Sequence, residues 1–224
     1  MSATRRTDRQ PLRIGLVGCS WFALRAHIPA LLSLEQAGCR GFSVRLEAVC
    51  SRTRKSMAKA EAKIGRTVVR HAQMQAMFDD PAIDVVLIVL PIPLMAAAVE
   101  AALRAGKHTI SEKPAAASLE QALSLLALHG SLPSPAPMWA VSENWAHKPS
   151  VVWLRRRLDE GRIGRVLAAH VCHHELVGPR GWPEGWRGAG QVEGGWLLDA
   201  GVHWARLLRL LLGAPCGLIT RAGP

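Results

Sequence analysis

The stretch Leu12-Arg13-Ile14-Gly15-Leu16-Val17-Gly18-Cys19-Ser20-Trp21-Phe22-Ala23 decides the fold of this chain. Its first six residues form a short apolar run typical of a buried strand, and a helical pattern follows Gly18 directly. The turn fits G-x-G-x-x-G/A with Ser20 in place of the middle glycine: Gly18 permits a tight turn, and Ala23 lets the helix pack close to the strand. Such a turn presents backbone N–H groups to a pyrophosphate at the helix N-terminus. A tight turn without a ligand remains the alternative, because the motif alone is a weak signal.

Strand and helix patterns alternate on the C-terminal side of this stretch. The helix after Gly18 continues through apolar positions to Leu32, and Pro29 is expected to kink it. Further strands are predicted at Val44–Cys50, Ile83–Leu90, His108–Ile110 and Met138–Val141, with helices at Ser56–Lys63, Leu94–Arg104 and Ser118–Leu128. This βαβα spacing predicts an α/β fold, a doubly wound parallel sheet covered by helices on both faces. We therefore place a first domain at residues 12–141.

The remaining residues, 142–224, predict a smaller second domain. They contain a helix opened by Pro149, a strand at Val166–Leu176 and an amphipathic helix at Asp199–Leu212. A helix with an apolar face needs a sheet to cover it. Because only one strand is predicted here, we expect an incomplete α/β (α+β) domain in a C-terminally truncated chain.

The composition is that of a globular protein with its own core: 224 residues, 49% of them hydrophobic and 20% charged. The longest apolar stretch, Val85–Val99, contains Pro91 and Pro93 and is shorter than the roughly 18 residues that a membrane helix requires. We therefore expect no membrane association. The five cysteines form no C-x-x-C pair, and the basic N-terminus lacks the apolar segment of a secretory signal. These features favour reduced thiols in a cytoplasmic protein.

The charge balance favours an anionic partner. The 28 Lys and Arg residues against 17 Asp and Glu give a net charge of +11, which suits a phosphorylated cofactor or nucleic acid. The run Arg155-Arg156-Arg157 lies in the helix opened by Pro149 and is typical of a solvated helix face. Composition alone does not choose between these two partners, but the helical position of the arginine run leads us to expect no nucleic acid.

The end of the second strand predicts which cofactor the turn would hold. An Asp or Glu there would bind the ribose 2′-hydroxyl of NAD. The chain instead reads Cys50-Ser51-Arg52-Thr53-Arg54-Lys55, with three cations and no carboxylate. Ser51 and Arg52 supply a hydroxyl and a guanidinium, which suit a 2′-phosphate. NADP is therefore favoured over NAD, with a solvated basic loop as the alternative.

Two further segments carry residues suited to acid–base chemistry. Lys113, in Ser111-Glu112-Lys113-Pro114, follows a strand at the edge where α/β sheets bind ligands, and it could polarise a carbonyl. Asp199 and His203 are four residues apart on a predicted helix and share one face, so His203 suits a general acid or base that Asp199 orients. The alternative is that Asp199 caps the helix and His203 is a core histidine.

Together these motifs resemble the Gfo/Idh/MocA oxidoreductases. The resemblance is carried by Gly18–Ala23, the turn at Leu90–Pro93, Ala105–Pro114 and Gly194–His203. It implies an N-terminal Rossmann domain, a C-terminal domain on an open sheet, and hydride transfer between NAD(P) and a carbinol or carbonyl, such as that of a small sugar or polyol. Lys113, Asp199 and His203 then correspond to the catalytic trio. The implied cofactor-binding positions are Gly18, Ser20, Trp21, Phe22, Ser51, Arg52, Leu90, Pro91, Glu112, Lys113 and Asn144.

The chain departs from that family at several points. Ser20 replaces a glycine, Met95 stands where the family often has a histidine, and Arg206 stands where many members carry an acid. The family also usually continues for about a hundred residues more. These departures leave a second hypothesis open, a non-catalytic or vestigial NAD(P)-binding regulatory protein. Whether the chain forms homo-oligomers also stays open.

Two other groups of residues invite interpretation. His170, His173, His174 and Glu175 are close in sequence, but a strand would point His173 away from His170 and His174, so we expect no metal site. The glycine-rich segment 181–188 contains Trp182 and Trp186 and precedes the Asp199 helix. Loop packing is the favoured interpretation there, and a substrate-pocket lining is the alternative.

Overall fold

The structure is a computed structural model that describes residues 10–38, 42–172 and 195–213. The chain forms two compact units, Met1–Ser142 and Glu143–Pro224. The strands of the first unit are β1 (Leu12–Val17), β2 (Val44–Cys50), β3 (Val69–His71), β4 (Val85–Ile88), β5 (His108–Glu112) and β6 (Trp139–Ser142). Its helices are α1 (Ile28–Ala37), α2 (Arg54–Ile64), α3 (Met74–Phe78), α4 (Ile92–Arg104) and α5 (Leu119–Ser131).

The six strands form one parallel sheet in the order β3-β2-β1-β4-β5-β6. The chain leaves β1 in one direction to build β2 and β3, and later returns to the other side of β1 to build β4, β5 and β6. The predicted doubly wound fold is therefore confirmed. The strand order reverses between β1 and β4, which is where open α/β sheets bind ligands.

Each face of the sheet carries its own apolar layer. One layer joins β1, β2 and β4 to α1 and α2 and includes Leu16, Ile28 and Leu46. The other joins the sheet to α3, α4 and α5 and includes Phe78 and Leu103. Because the central strands are buried on both faces, they appear in the sequence as nearly continuous apolar runs.

The second unit, as far as it is described, is helical. A 3₁₀ turn (Trp145–His147) leads into α6 (Pro149–Asp159), and α7 (Gly195–Asp199) and α8 (Gly201–Leu212) follow later. The predicted strand at Val166–Leu176 is wrong over residues 166–172, which have no regular secondary structure; the rest of it lies outside the described residues. Among the described residues, no strand pairs with this segment.

The predicted helix Asp199–Leu212 is divided in two. Asp199 is the last residue of α7, and Ala200 separates it from α8. Asp199 is therefore not the N-terminal cap of α8, because Ala200 holds that position. The helix after Gly18 also differs from the prediction, since a π-helical turn (Ala23–His27) precedes α1 and Pro29 lies in the first turn of α1, where a missing N–H is tolerated.

Gly18 is required by the fold at the end of β1. Its φ is +94°, a conformation that residues with a side chain rarely adopt. A Cβ at this position would overlap the carbonyl oxygen of Val89 and lie 2.8 Å from its carbon. The same turn is held by hydrogen bonds from Gly18 N to Cys50 O and from Val89 N to Val17 O, both 2.8 Å long. No side chain fits between these strand ends.

We expect Gly18→Ala to destabilise the chain far more than Gly65→Ala. Gly65 also has a positive φ, +79°, but a Cβ there has no atom within 4 Å. Gly65→Ala should cost about 1 kcal/mol of backbone strain, whereas Gly18→Ala should cost about 3 kcal/mol or more because of the overlap. Urea unfolding followed by circular dichroism measures both. Equal losses in the two variants would contradict the close approach at Val89.

Candidate active site

Four strands end side by side at one edge of the sheet. Val17 of β1 pairs with Cys50 of β2 and with Ile88 of β4, and Ile88 pairs with Ser111 of β5. The residues that follow these strand ends therefore meet at the same edge. They include the predicted cofactor positions Gly18, Ser51 and Leu90, and Glu112 is the last residue of β5 at the same edge.

The turn after β1 is closed by Ser20, the residue that replaces the middle glycine. The Ser20 hydroxyl accepts a hydrogen bond from Ala23 N at 3.2 Å, and the Ser20 carbonyl accepts one from Leu24 N at 3.0 Å. The serine thus caps the helical segment that follows. Trp21 and Phe22 are exposed beside it, with exposed fractions of 69% and 42%. Ser20, which departs from the glycine pattern, therefore has a structural role in this turn.

The basic segment after β2 has an exposed cluster of cations. Thr53 caps α2 by accepting from Ser56 N at 3.1 Å, so its hydroxyl is occupied. Arg52, Arg54 and Lys55 are exposed, and within the described part of the chain no carboxylate pairs with them. An anion at this edge would therefore meet unneutralised positive charge.

Glu112 links the end of β5 to the first helical segment. Its carboxylate lies 2.7 Å from His27 Nε2 and accepts a hydrogen bond from Lys113 N at 3.1 Å. Both side chains of the pair are largely buried, with 14% of His27 and 11% of Glu112 exposed. The Glu112 side chain therefore restrains the backbone at Lys113. Sequence reasoning missed His27, whose only signal was a position on the first helix facing the sheet edge.

The three residues predicted to form a catalytic trio are divided between the two units. Lys113 lies in the first, half-buried, and Asp199 and His203 lie in the second. His203 Nδ1 forms a hydrogen bond with the carboxylate of Glu143, the first residue after β6. Sequence reasoning did not single out Glu143. Its signal was an acidic residue directly beside Asn144 at the end of a predicted strand.

The remaining predicted positions differ in burial. Leu90 and Pro91 are half-buried at the edge, and Asn144 is exposed at the start of the 3₁₀ turn. Met95, in the place of the family's histidine, is 1% exposed and packs in the apolar layer under α4. Arg206 is exposed on α8. Met95 therefore serves the core.

No metal cluster or membrane span is found in residues 10–38, 42–172 and 195–213. That part of the chain has no group of three His, Cys, Asp or Glu side chains arranged to hold a metal ion, and none of its helices is long and apolar enough to cross a bilayer. Of the histidine-rich segment, only His170 is described. The segment 181–188 also lies outside the described residues.

Two buried thiols lie behind the turn. Cys19 and Cys50 are unpaired, and the Cys19 thiol points at the Cys50 carbonyl at 3.9 Å. Burial, with a smaller contribution from Cys50, raises the pKa of Cys19 from 9.0 to about 11, and burial also raises the pKa of Cys50. Both thiols therefore stay protonated and weakly nucleophilic at neutral pH.

The raised pKa of Cys19 predicts an alkaline loss of stability. The folded state disfavours the thiolate of Cys19, so the free energy of unfolding falls as pH rises from 9 towards 11. The stabilising effect of the buried thiol is complete only below pH 9. We expect the difference in free energy of unfolding between wild type and Cys19→Ala to narrow from pH 9 to pH 11. Urea titrations at a series of pH values measure it, with the exposed Cys172→Ala as control. A difference that is constant with pH would contradict the burial of this thiol.

Comparisons with known proteins agree with the resemblance in the motifs. The family model described as "Oxidoreductase family, NAD-binding Rossmann fold" (GFO_IDH_MocA) matches residues 12–132, and the GFO/IDH/MocA C-terminal domain model matches residues 151–220. A dTDP-3,4-didehydro-2,6-dideoxy-alpha-D-glucose 3-reductase from Streptomyces violaceoruber is 32% identical over 96% of this chain and 58% of its own length. The chain spans slightly less than three-fifths of the length of this reductase and of a dehydrogenase from Fusarium mangiferae that it also matches.

Two solved structures are also similar to this chain. KijD10, a 3-ketoreductase from Actinomadura kijaniata in complex with NADP and TDP-benzene, is 28% identical with a TM-score of 0.70, over 91% of this chain and 58% of that one. A levoglucosan dehydrogenase in complex with NADH and levoglucosan is 25% identical with a TM-score of 0.75, over 91% and 55%. These relatives are sugar reductases and dehydrogenases. Because the family model for the NAD-binding domain spans more than half of the chain, this protein belongs to the Gfo/Idh/MocA family.

Proposed function

We propose that the chain is an NAD(P)-dependent oxidoreductase that transfers hydride between a nicotinamide cofactor and the carbinol or carbonyl carbon of a small sugar or polyol. The observation that carries this proposal is the sheet edge at which the Gly18 turn, Ser51 and the Glu112–Lys113 segment meet. The substrate class is supported by the sugar reductases and dehydrogenases among its relatives.

We further propose a cytoplasmic location, because Cys19 and Cys50 are unpaired thiols.

The residues at this edge fit a dinucleotide with a 2′-phosphate. The Gly18 turn brings the chain to this edge, and the helical segment that begins beside Ser20 presents N–H groups there. Ser51 and Arg52 would hold the 2′-phosphate, since no carboxylate is present to bind a ribose hydroxyl. NADP is therefore proposed over NAD. When bound, the nicotinamide ring supplies or accepts the hydride.

Replacing Arg52 by alanine tests the choice of cofactor. We expect Arg52→Ala to weaken NADPH binding about 10-fold to 100-fold, the worth of a charge-assisted hydrogen bond of about 1.5–3 kcal/mol, and to leave NADH binding unchanged. Fluorescence titration of the 224-residue chain measures both affinities. Lys59→Ala removes an exposed cation further along α2 and serves as the matched control. Equal affinity for NADH and NADPH in both wild type and Arg52→Ala would make the NADP proposal wrong.

The proposed acid–base chemistry belongs to Lys113 and His203. The Lys113 ammonium would stabilise negative charge on the reacting oxygen of the substrate, and His203 would take or donate the hydroxyl proton. Asp199 would orient His203 or the substrate. In this proposal, Lys113 supplies the positive charge and His203 moves the proton.

A single-turnover experiment tests whether the chain catalyses a reaction or only binds its cofactor. We expect NADPH oxidation with a panel of sugar-like ketones, and a loss of about 100-fold or more in His203→Asn, the usual worth of a general acid or base. His147→Asn changes an exposed histidine of the same unit and should retain the wild-type rate. Tight NADPH binding without oxidation of any ketone would instead support the non-catalytic binding protein.

A further inference from the structure

The imidazole of His203 is held by groups that lie far from it in sequence. Its Nδ1 forms a hydrogen bond with the Glu143 carboxylate, 60 residues earlier in the chain. The two side chains are largely buried together, with 15% of His203 and 9% of Glu143 exposed. The direction of this hydrogen bond therefore controls which ring nitrogen carries a proton.

Aromatic stacking fixes the plane of the same ring. Trp145 lies parallel to His203, with ring centroids 4.8 Å apart and an angle of 7° between the planes. Trp204 packs edge-on against Trp145 at 4.4 Å, and the Lys148 ammonium lies 3.5 Å from the Trp145 ring centroid. The tryptophan is thus restrained by its own neighbours, and the imidazole stacked on it has little freedom to rotate.

The Glu143 carboxylate is itself restrained by the backbone. It accepts hydrogen bonds from Trp145 N at 3.1 Å and from Ala146 N at 3.4 Å, both in the 3₁₀ turn. The acceptor of the His203 hydrogen bond is therefore fixed by the turn that also carries the stacking ring. One short segment sets both the position and the hydrogen bonding of the imidazole.

We propose that Glu143 is a positioning residue that holds His203 in the Nδ1–H tautomer. An ionised carboxylate can only accept, so Nδ1 must carry the proton of this hydrogen bond. In the neutral ring, Nε2 is then the nitrogen with a free electron pair, and it becomes the atom that takes a proton from a substrate hydroxyl or returns it. This catalytic meaning rests on the proposed function, whereas the tautomer itself does not.

The tautomer can be measured from the imidazole ¹⁵N shifts in two-bond ¹H–¹⁵N spectra of the labelled 224-residue chain. The spectra are recorded at a pH where the ring is neutral, and the His203 signals are assigned by their absence in His203→Asn. We expect a protonated Nδ1 and an unprotonated Nε2 in wild type. Glu143→Ala should shift the population towards Nε2–H, while Glu143→Gln should retain Nδ1–H, because its amide oxygen still accepts. Glu160→Ala removes an exposed carboxylate of the same unit, paired with Arg157, and serves as the control.

The wild-type spectrum tests the tautomer of His203 even if Glu143→Ala does not fold. An Nε2–H ring in wild type would overturn the proposal, and so would an unchanged Nδ1–H ring in folded Glu143→Ala. In turnover, Glu143→Ala should lower kcat about 100-fold or more, with the KM for cofactor unchanged and partial rescue by Glu143→Gln. If the tautomer is as expected but no variant, wild type included, turns over, the proposed function fails while the role of Glu143 in setting the tautomer stands.

Discussion

The approach of the β1 backbone to the Val89 carbonyl is the constraint on which the first unit depends. Gly18 can occupy the space between the ends of β1 and β4 only because it has no Cβ. This contact lies where the strand order reverses, so the chain turns into the helical segment at the point where a dinucleotide would lie. Any larger residue would push the two strand ends apart, and the segments after β2 and β5 would lose their common edge.

A carboxylate at or directly after a strand end restrains side chains of the proposed site in each unit. β5 ends in Glu112, which binds His27 and the backbone of Lys113, and β6 is followed by Glu143, which binds His203. In each case a carboxylate on a fixed strand end restrains an imidazole from a helical segment. A buried carboxylate is costly without partners, so each of these acids is stable there only while its hydrogen bonds are made. These carboxylates thus restrain the conformation of residues that the proposed chemistry would use.

The sequence predicted the parts of this structure that local patterns encode. The bounds of β1 and β2 were predicted as observed, β1 from its apolar run and β2 from its alternating apolar residues. The short, largely exposed β3 was missed, since its pairing with β2 and not its own composition makes it a strand. Helical periodicity pointed to Asp199 as the partner of His203 and could not point to Glu143, because no local spacing reveals a contact across 60 residues.

The described cations differ in whether a carboxylate pairs with them. Seven of the described arginines form ion pairs with carboxylates. These pairs join Arg13 to Asp84, Arg45 to Glu47, Arg66 to Glu35, Arg70 to Glu61, Arg104 to Glu100, Arg155 to Asp159 and Arg157 to Glu160. Arg13 shows their role best, because hydrogen bonding to Asp84 raises its pKa and the pair ties β1 to the segment before β4. Arg52, Arg54 and Lys55 have no such carboxylate among the described residues, so their charge is available to an anion. Grouped at the carboxyl end of β2, where open α/β sheets bind ligands, these three cations suit the 2′-phosphate of the proposed cofactor.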